Sequence, residues 1–301
     1  MALRVSKVLS AFLLICEMTR SENTVRYYRH HLRKLVIRVG RKEASRLRKI
    51  DLTSWAKTWH EFQAVLRCFA WAAKEAELIR KSPFVGVRLP PMGGRKRVLR
   101  PQEISQLLRG LRPFPRLFFL AMRETLARPQ EIRSVRWCDL KSENPRDDLR
   151  SSLLAGRGLI VLQKFKSRDR RADGSRPRVL LISKLLGRAI VRRMDSHIHR
   201  GGNIFLNSVG EAWTANAVRC VMRRVRRRLA IEVDADGEKL TAYTIRHSTA
   251  TDAAAGGVLD RALADLLGHV ETKTTARYQH LCVGHLRSAL ERAKASQRTP
   301  R

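Results

Sequence analysis

Apolar residues recur every three to four positions through the first part of the chain. That period predicts helices over residues 4–18 and 23–38, with Ser21 and Thr24 available to start the second and Gly40 just past its end. Asp51 opens a further helical region in which Val65, Leu66, Phe69, Ala72, Ala73 and Ala76 share one face, and Ser82-Pro83 closes it. Residues 1–87 therefore read as an all-helical domain. Residues 88–99 follow as a basic linker, with two prolines, two glycines and a run of cations. Beyond it, Pro101-Gln102-Glu103 starts a helix, 114–127 reads as another, and Pro129 fits the first turn of a short helix through Val135. Residues 158–163 and 178–183 are β-rich and flank a basic stretch with an Asp173-Gly174 turn, which predicts a hairpin, the only clear β-structure. Helices are expected at 184–196 and 214–229. The second sets Val218, Met222, Val225 and Leu229 on one face and Arg219, Arg223, Arg224, Arg226, Arg227 and Arg228 around the rest. The fold class is mainly α with a small β-hairpin (α+β), in two domains, 1–87 and 100–301.

Composition narrows the partner. The 301 residues carry 62 Lys plus Arg against 27 Asp plus Glu, a formal net charge of +35. Arginines outnumber lysines about three to one, and the guanidinium fork suits phosphate oxygens. Codon bias accounts for the Arg-to-Lys ratio but not for the scarcity of acids, so a polyanion, DNA first, is the expected partner. The arginine run at 219–228 is then a DNA-facing surface as readily as a merely solvated one. The five cysteines are far apart and form no CxxC pair, which reads as buried free thiols in a reducing compartment. The short apolar run Leu13-Leu14-Ile15-Cys16 is interrupted at Glu17, so it reads as helix and not as a signal peptide. No stretch approaches the roughly 20 apolar residues of a membrane span, and a cytoplasmic, nucleoid-associated protein of a bacterium is expected.

The candidate chemistry lies late in the chain. Tyr243-Thr-Ile-Arg246-His247, Leu266-Leu267-Gly268-His269 and Thr274-Thr275-Ala276-Arg277-Tyr278 are expected on three short consecutive helices. A phosphodiester is cut without metal only when cationic donors hold the phosphate and a side chain attacks it, and Arg, His and Tyr are the residue types for that work. There is no HExxH, no Cys/His cluster and no carboxylate constellation of a two-metal nuclease. Neither metal nor cofactor is expected.

These segments resemble the tyrosine recombinase (phage integrase) family over almost the whole chain. Thr125-Leu126-Ala127-Arg128-Pro129-Gln130-Glu131-Ile132, followed by Val135-Arg136-Trp137-Cys138-Asp139-Leu140, looks like the segment with that family's first catalytic arginine. The Arg246-His247 and Leu-Leu-Gly-His boxes follow in order, with Tyr278 nine residues beyond His269. Phe69-Ala70-Trp71-Ala72 with Ser82-Pro83 resembles the end of the family's helical core-binding (SAM-like) domain. A lone RxxE or RH pair is weak, whereas three boxes in order with a late tyrosine are specific.

The resemblance implies roles. Arg128 and Arg246 hold the non-bridging oxygens, which gain charge in the transition state. Glu131 buttresses the helix start. Tyr278 attacks and forms a 3′-phosphotyrosine, and the ester conserves the bond energy so that rejoining needs no ATP. A hairpin lysine protonates the leaving 5′-oxygen. Lys164 and Lys166 both fit that position, and Lys166 with Ser167 is the closer match. His269 donates to the phosphate, Gly268 lets the backbone pass close to the site, and His247 is structural. Tyr243 stands where the family usually has histidine. A phenol donates a hydrogen bond but is a poor base near pH 7, so Tyr243 is expected to keep the contact and lose the base role. Leu126 replaces the family's usual glycine, which suggests tighter packing before Arg128. Tyr27 and Tyr28, in the helical domain, read as packing or DNA-contact residues.

The function implied is a site-specific recombinase or integrase. It would act on double-stranded DNA, as a monomer in solution and a homotetramer across two duplexes, at a target site without distal arm sequences. A type IB topoisomerase shares the chemistry, and a recombinase-derived protein that binds DNA without cutting it is the third reading.

Overall fold

A computed structural model describes residues 3–91, 97–163, 165, 177–195, 202–231, 233, 237–269 and 275. The chain divides into two compact units, residues 1–94 and 95–301.

The first unit is helical. Helices α1 (Val5–Thr19), α2 (Glu22–Val39), α3 (Ile50–Thr53) and α4 (Trp59–Lys74) follow the apolar period. They enclose a core that includes Leu9, Phe12, Leu32, Leu35, Val65 and Phe69. Helix α4 begins with a capping box: Thr58 Oγ1 accepts from the Glu61 backbone at 3.3 Å, and the Glu61 carboxylate accepts from Thr58 N at 3.1 Å and Lys57 N at 2.9 Å. Lys34 of α2 pairs with the same carboxylate. Burial alone would raise the Glu61 pKa, but the Lys34 hydrogen bond and the two backbone donors outweigh it and hold the group at about 2. Tyr28 packs edge-on against Phe12 with centroids 4.9 Å apart, and the Tyr27 hydroxyl donates to the His60 carbonyl at 3.0 Å. Both tyrosines thus join α2 to its neighbours.

In the second unit, α5 (Pro101–Arg109), α6 (Pro113–Thr125) and α7 (Pro129–Ser134) lead into a three-stranded antiparallel sheet. Its strands β1 (Leu140–Ser142), β2 (Gly158–Leu162) and β3 (Arg178–Ile182) stand in the order β1-β2-β3. The two expected strands pair antiparallel with Leu162 opposite Arg178, and the expected Asp173-Gly174 turn lies outside the described residues. Two elements were not expected: β1, a third strand paired Leu140 to Ile160, and α8 (Leu149–Ala155), a short helix started by the Asp148 side chain. Both are too short to show a period. Helices α9 (Lys184–Asp195), α10 (Ala215–Arg228), α11 (Ala242–Ala255) and α12 (Asp260–Leu267) complete the described part. The core draws Phe118, Phe119 and Met122 from α6, Ile160 and Leu180 from the sheet, Ile190 from α9, Met222 from α10 and Ile245 from α11.

The chain is mainly helical with a small sheet, as the sequence predicts. On α10, Val218, Met222 and Val225 are buried and Leu229 is partly so, while Arg219, Arg223, Arg224, Arg227 and Arg228 are exposed. Arg226 departs from that set: it is half-buried and donates to the Leu240 carbonyl at 2.9 Å. The cysteines also divide. Cys16 and Cys68 are buried, which pushes both thiols up, but Cys138 is exposed and Cys220 half-buried. Cys282 lies outside the described residues. Among the described residues no helix is long and apolar enough to cross a membrane.

Candidate active site

Helix α6 ends at Leu126, whose backbone is left-handed with φ +54° and ψ +20°. That is a glycine-like conformation, and it gives a physical reason for glycine at this position that the packing expectation missed. Leu126 adopts it while burying its side chain with Ala250 of α11 and Leu263 and Leu267 of α12. The reversal delivers Arg128 to the N-cap of α7. Pro129 occupies the first helical position, and Glu131 reaches back to accept from Arg128 N at 2.7 Å.

Glu131 is the centre of the site. Its side chain is 3% exposed and faces three guanidinium groups. Arg128 Nη1 donates to Oε1 at 2.8 Å, Arg178 Nε donates to the same oxygen at 3.1 Å, and Arg246 Nη1 lies 3.9 Å from Oε2. Burial on its own would raise the Glu131 pKa. Arg178, then Arg128 and its backbone N–H, then Arg246 reverse that and hold it below the usual carboxylate range. The site carboxylate is therefore ionised at neutral pH.

The same three arginines take the end of α12. Arg178 Nη1 donates to the Asp265 carbonyl at 2.9 Å and Nη2 to that of Leu266 at 2.7 Å. Arg246 Nη2 donates to Leu267 O at 2.6 Å, and Arg128 Nη2 to Gly268 O at 3.2 Å. Four consecutive carbonyls at this helix end each receive a guanidinium N–H, and that of Asp265 also accepts from Gly268 N at 3.0 Å. Arg246 Nη1 also donates to the Leu126 carbonyl. Three positive charges stand against one carboxylate and the roughly half negative charge of a helix C-terminus, so about one and a half positive charges remain. That surplus suits a phosphodiester anion.

His269 is not on a helix, contrary to expectation. It follows the left-handed cap Gly268 (φ +60°), its N–H returns to the Ala264 carbonyl at 2.9 Å, and its Nδ1 meets Thr275 Oγ1 at 3.0 Å. The glycine is required by crowding as well as by φ: a Cβ there would stand 2.7 Å from Arg178 Nη1. Tyr243 lies one turn before Arg246 on α11, on the same side of the helix, and is 41% exposed. His247 is buried beside Arg246.

Arg128, Tyr243, Arg246 and His269 are thus the predicted site residues that fall among the described ones. Arg128 and Arg246 meet at Glu131, and His269 follows directly on the carbonyls those arginines hold. Lys164, Lys166 and Tyr278 lie outside the described residues. Arg178 was not singled out from the sequence. The available signal was parity: it alternates with Leu180 and Ile182, so an inward-facing strand position carries a charge. Among the described residues no group of three or more His, Cys, Asp or Glu side chains is placed to hold a metal ion.

The chain is 32% identical over 163 residues to tyrosine recombinase XerC of Pelobacter propionicus, covering 50% of this chain and 46% of that protein. A XerC of Rhodospirillum centenum is 34% identical over 94 residues, 26% of its length, so the chain spans under half of either relative. Tyrosine recombinase XerA of Thermococcus onnurineus matches more extensively, at 26% identity over 285 residues and 90% of its length. Among solved structures, the Tn1549 transposon integrase in complex with transposon right end DNA superposes with a TM-score of 0.73 at 16% identity, over 97% of this chain and all of that one. A lambda integrase tetramer bound to a Holliday junction gives 0.69 at 13% identity, over 92% and 77%. These likenesses show the fold. The profile of the phage integrase family matches residues 97–285, which include the whole described site, and the chain belongs to that family.

Proposed function

We propose that the protein is a site-specific DNA recombinase that cuts and rejoins duplex DNA through a covalent tyrosine intermediate. The observation that carries this reading is the cationic pocket assembled by Glu131: two fork donors, Arg128 and Arg246, anchored on one carboxylate and one helix end beside His269.

The arginines cradle the non-bridging oxygens of the scissile phosphate. Being held before substrate arrives, they need little reorganisation as charge develops in the transition state. Tyr278 attacks phosphorus, its phenolic proton passes to solvent water, and a 3′-phosphotyrosine forms as the 5′-oxygen departs. Lys166 gives that oxygen its proton. His269 and Tyr243 donate hydrogen bonds to the phosphate. Attack by a 5′-hydroxyl reverses the sequence, so no ATP is consumed, and neither metal nor cofactor enters. The helical unit serves as the core-binding domain, and the exposed arginines of α10 supply a DNA-facing surface in the catalytic unit. Four protomers act on two duplexes, assembled from monomers, in the cytoplasm at the nucleoid.

A two-duplex assay tests this, with pairs of duplexes tiled across the DNA that flanks the gene. Exchange of labelled strands between duplexes is the expected product. Relaxation of a supercoiled plasmid with no exchange would instead identify a topoisomerase, and binding without any nicking would identify a silent DNA-binding protein.

A further inference from the structure

We infer that Arg178 is a positioning residue of the strand-breaking site: it locks the C-terminal turn of α12 onto Glu131 and so sets where His269, Arg128 and Arg246 stand. The inference rests on the function proposed above.

Three observations carry it. First, Arg178 is built into the protein. Its side chain is 1% exposed, and Nε, Nη1 and Nη2 donate to Glu131 Oε1, the Asp265 carbonyl and the Leu266 carbonyl at 3.1, 2.9 and 2.7 Å. Burying a guanidinium is tolerable only with such a counter-charge and hydrogen-bond partners. Each of its three nitrogens donates to a protein acceptor and the side chain is shut off from solvent, so it acts through its neighbours.

Second, those neighbours are the candidate catalytic groups. Oε1 of Glu131 is shared between Arg178 and Arg128. The carbonyls that Arg178 holds immediately precede those held by Arg246 and Arg128. His269 continues from that turn. Arg178 also opens β3 opposite Leu162, the last residue of β2.

Third, the fit is tight. The left-handed Gly268 leaves room for the guanidinium, since a Cβ there would come within 2.7–2.9 Å of Nη1, Cζ and Nε. Lysine's three N–H groups radiate from a single nitrogen, so they lack the planar spread with which the three guanidinium nitrogens each reach a separate acceptor.

The test is single-turnover cleavage by the full chain of nicked duplexes tiled across the DNA flanking the gene, with rate constant and final amplitude read separately. For Arg178→Lys and Arg178→Met, the expected result is a rate constant lower by about 100-fold, with near-complete amplitude and unchanged DNA affinity. A merely structural role would lower the folded fraction, and so the amplitude, at an unchanged rate constant; that outcome, or a wild-type rate, overturns the inference. Should both variants fail to fold, Gly268→Ala decides, because it keeps Arg178 but crowds its guanidinium. The same fall in rate constant supports the inference, and a wild-type rate overturns it. Absence of any adduct with the unaltered chain defeats the proposed function itself, whereas a cleaving wild type with unimpaired variants defeats only the role of Arg178.

Discussion

Arg246 Nη2 donates to the Leu267 carbonyl at 2.6 Å, a bond that joins the helix of one candidate phosphate ligand to the turn from which His269 emerges. Arg246→Lys removes the fork, leaving at least one of the buried Leu126 and Leu267 carbonyls unpaired. The strand-cleavage rate constant should fall by about 100-fold to 1,000-fold, the range for losing one preorganised donor of a developing charge. Single-turnover kinetics checks this.

Glu131→Gln should destabilise the second unit by about 3–5 kcal/mol, because it leaves buried guanidinium groups without their counter-charge. The pH dependence has a definite sign. The Glu131 pKa is lower folded than unfolded, so its contribution is complete above the unfolded value, about 4.3, and is lost as pH falls through the folded value. Urea melts between pH 7 and pH 3 should show acid sensitivity that shrinks in the glutamine variant.

Glu61 makes a parallel case in the helical unit. Held at about 2 by Lys34 and the start of α4, it should contribute stability above its unfolded pKa that disappears as pH falls toward 2. Glu61→Gln should flatten that acid limb, as read from the helical signal of the isolated transition.

Leu126→Gly sets two effects against each other. Glycine relieves the left-handed backbone by about 1–2 kcal/mol, but it empties a buried position packed on Ala250, Leu263 and Leu267, at a cost of about 2–5 kcal/mol. The lost packing outweighs the relieved strain, and the variant should be less stable by up to about 4 kcal/mol in denaturant melts. A stabilised variant would show that the leucine contributes little packing.

DNA affinity should fall steeply with salt. Replacing Arg223, exposed on α10, by alanine should reduce the slope of log K against log salt by about 1. Arg226, tied to the Leu240 carbonyl, should change stability more than the slope.

The sequence made the periodic parts of this molecule legible. Amphipathic helices such as α4 and α10 bury most of their predicted faces, and strands β2 and β3 lie where β-rich runs predict them. Elements without a period escaped: β1 has three residues and α8 seven. In the candidate site, the family resemblance singles out Arg128, Arg246 and His269 because its motifs are local, and the structure brings them to one carboxylate and one helix end. Arg178 remained hidden because its partners Glu131 and Asp265 lie 47 and 87 residues away, and no local pattern encodes such pairing. The left-handed Leu126 escaped for another reason: the family's usual glycine at this position reads, in the sequence, as a matter of packing and not of backbone conformation.

Covalent chemistry at Tyr278 is the step on which the proposed function stands or falls. It is measured by trapping on nicked duplexes tiled across the DNA that flanks the gene, followed by mass spectrometry of the adduct. The expected result is a protein–DNA species with a 3′-phosphate ester on Tyr278, absent from Tyr278→Phe, which should still bind the same DNA. An adduct formed equally well by Tyr278→Phe, or attached at Tyr243, would contradict it.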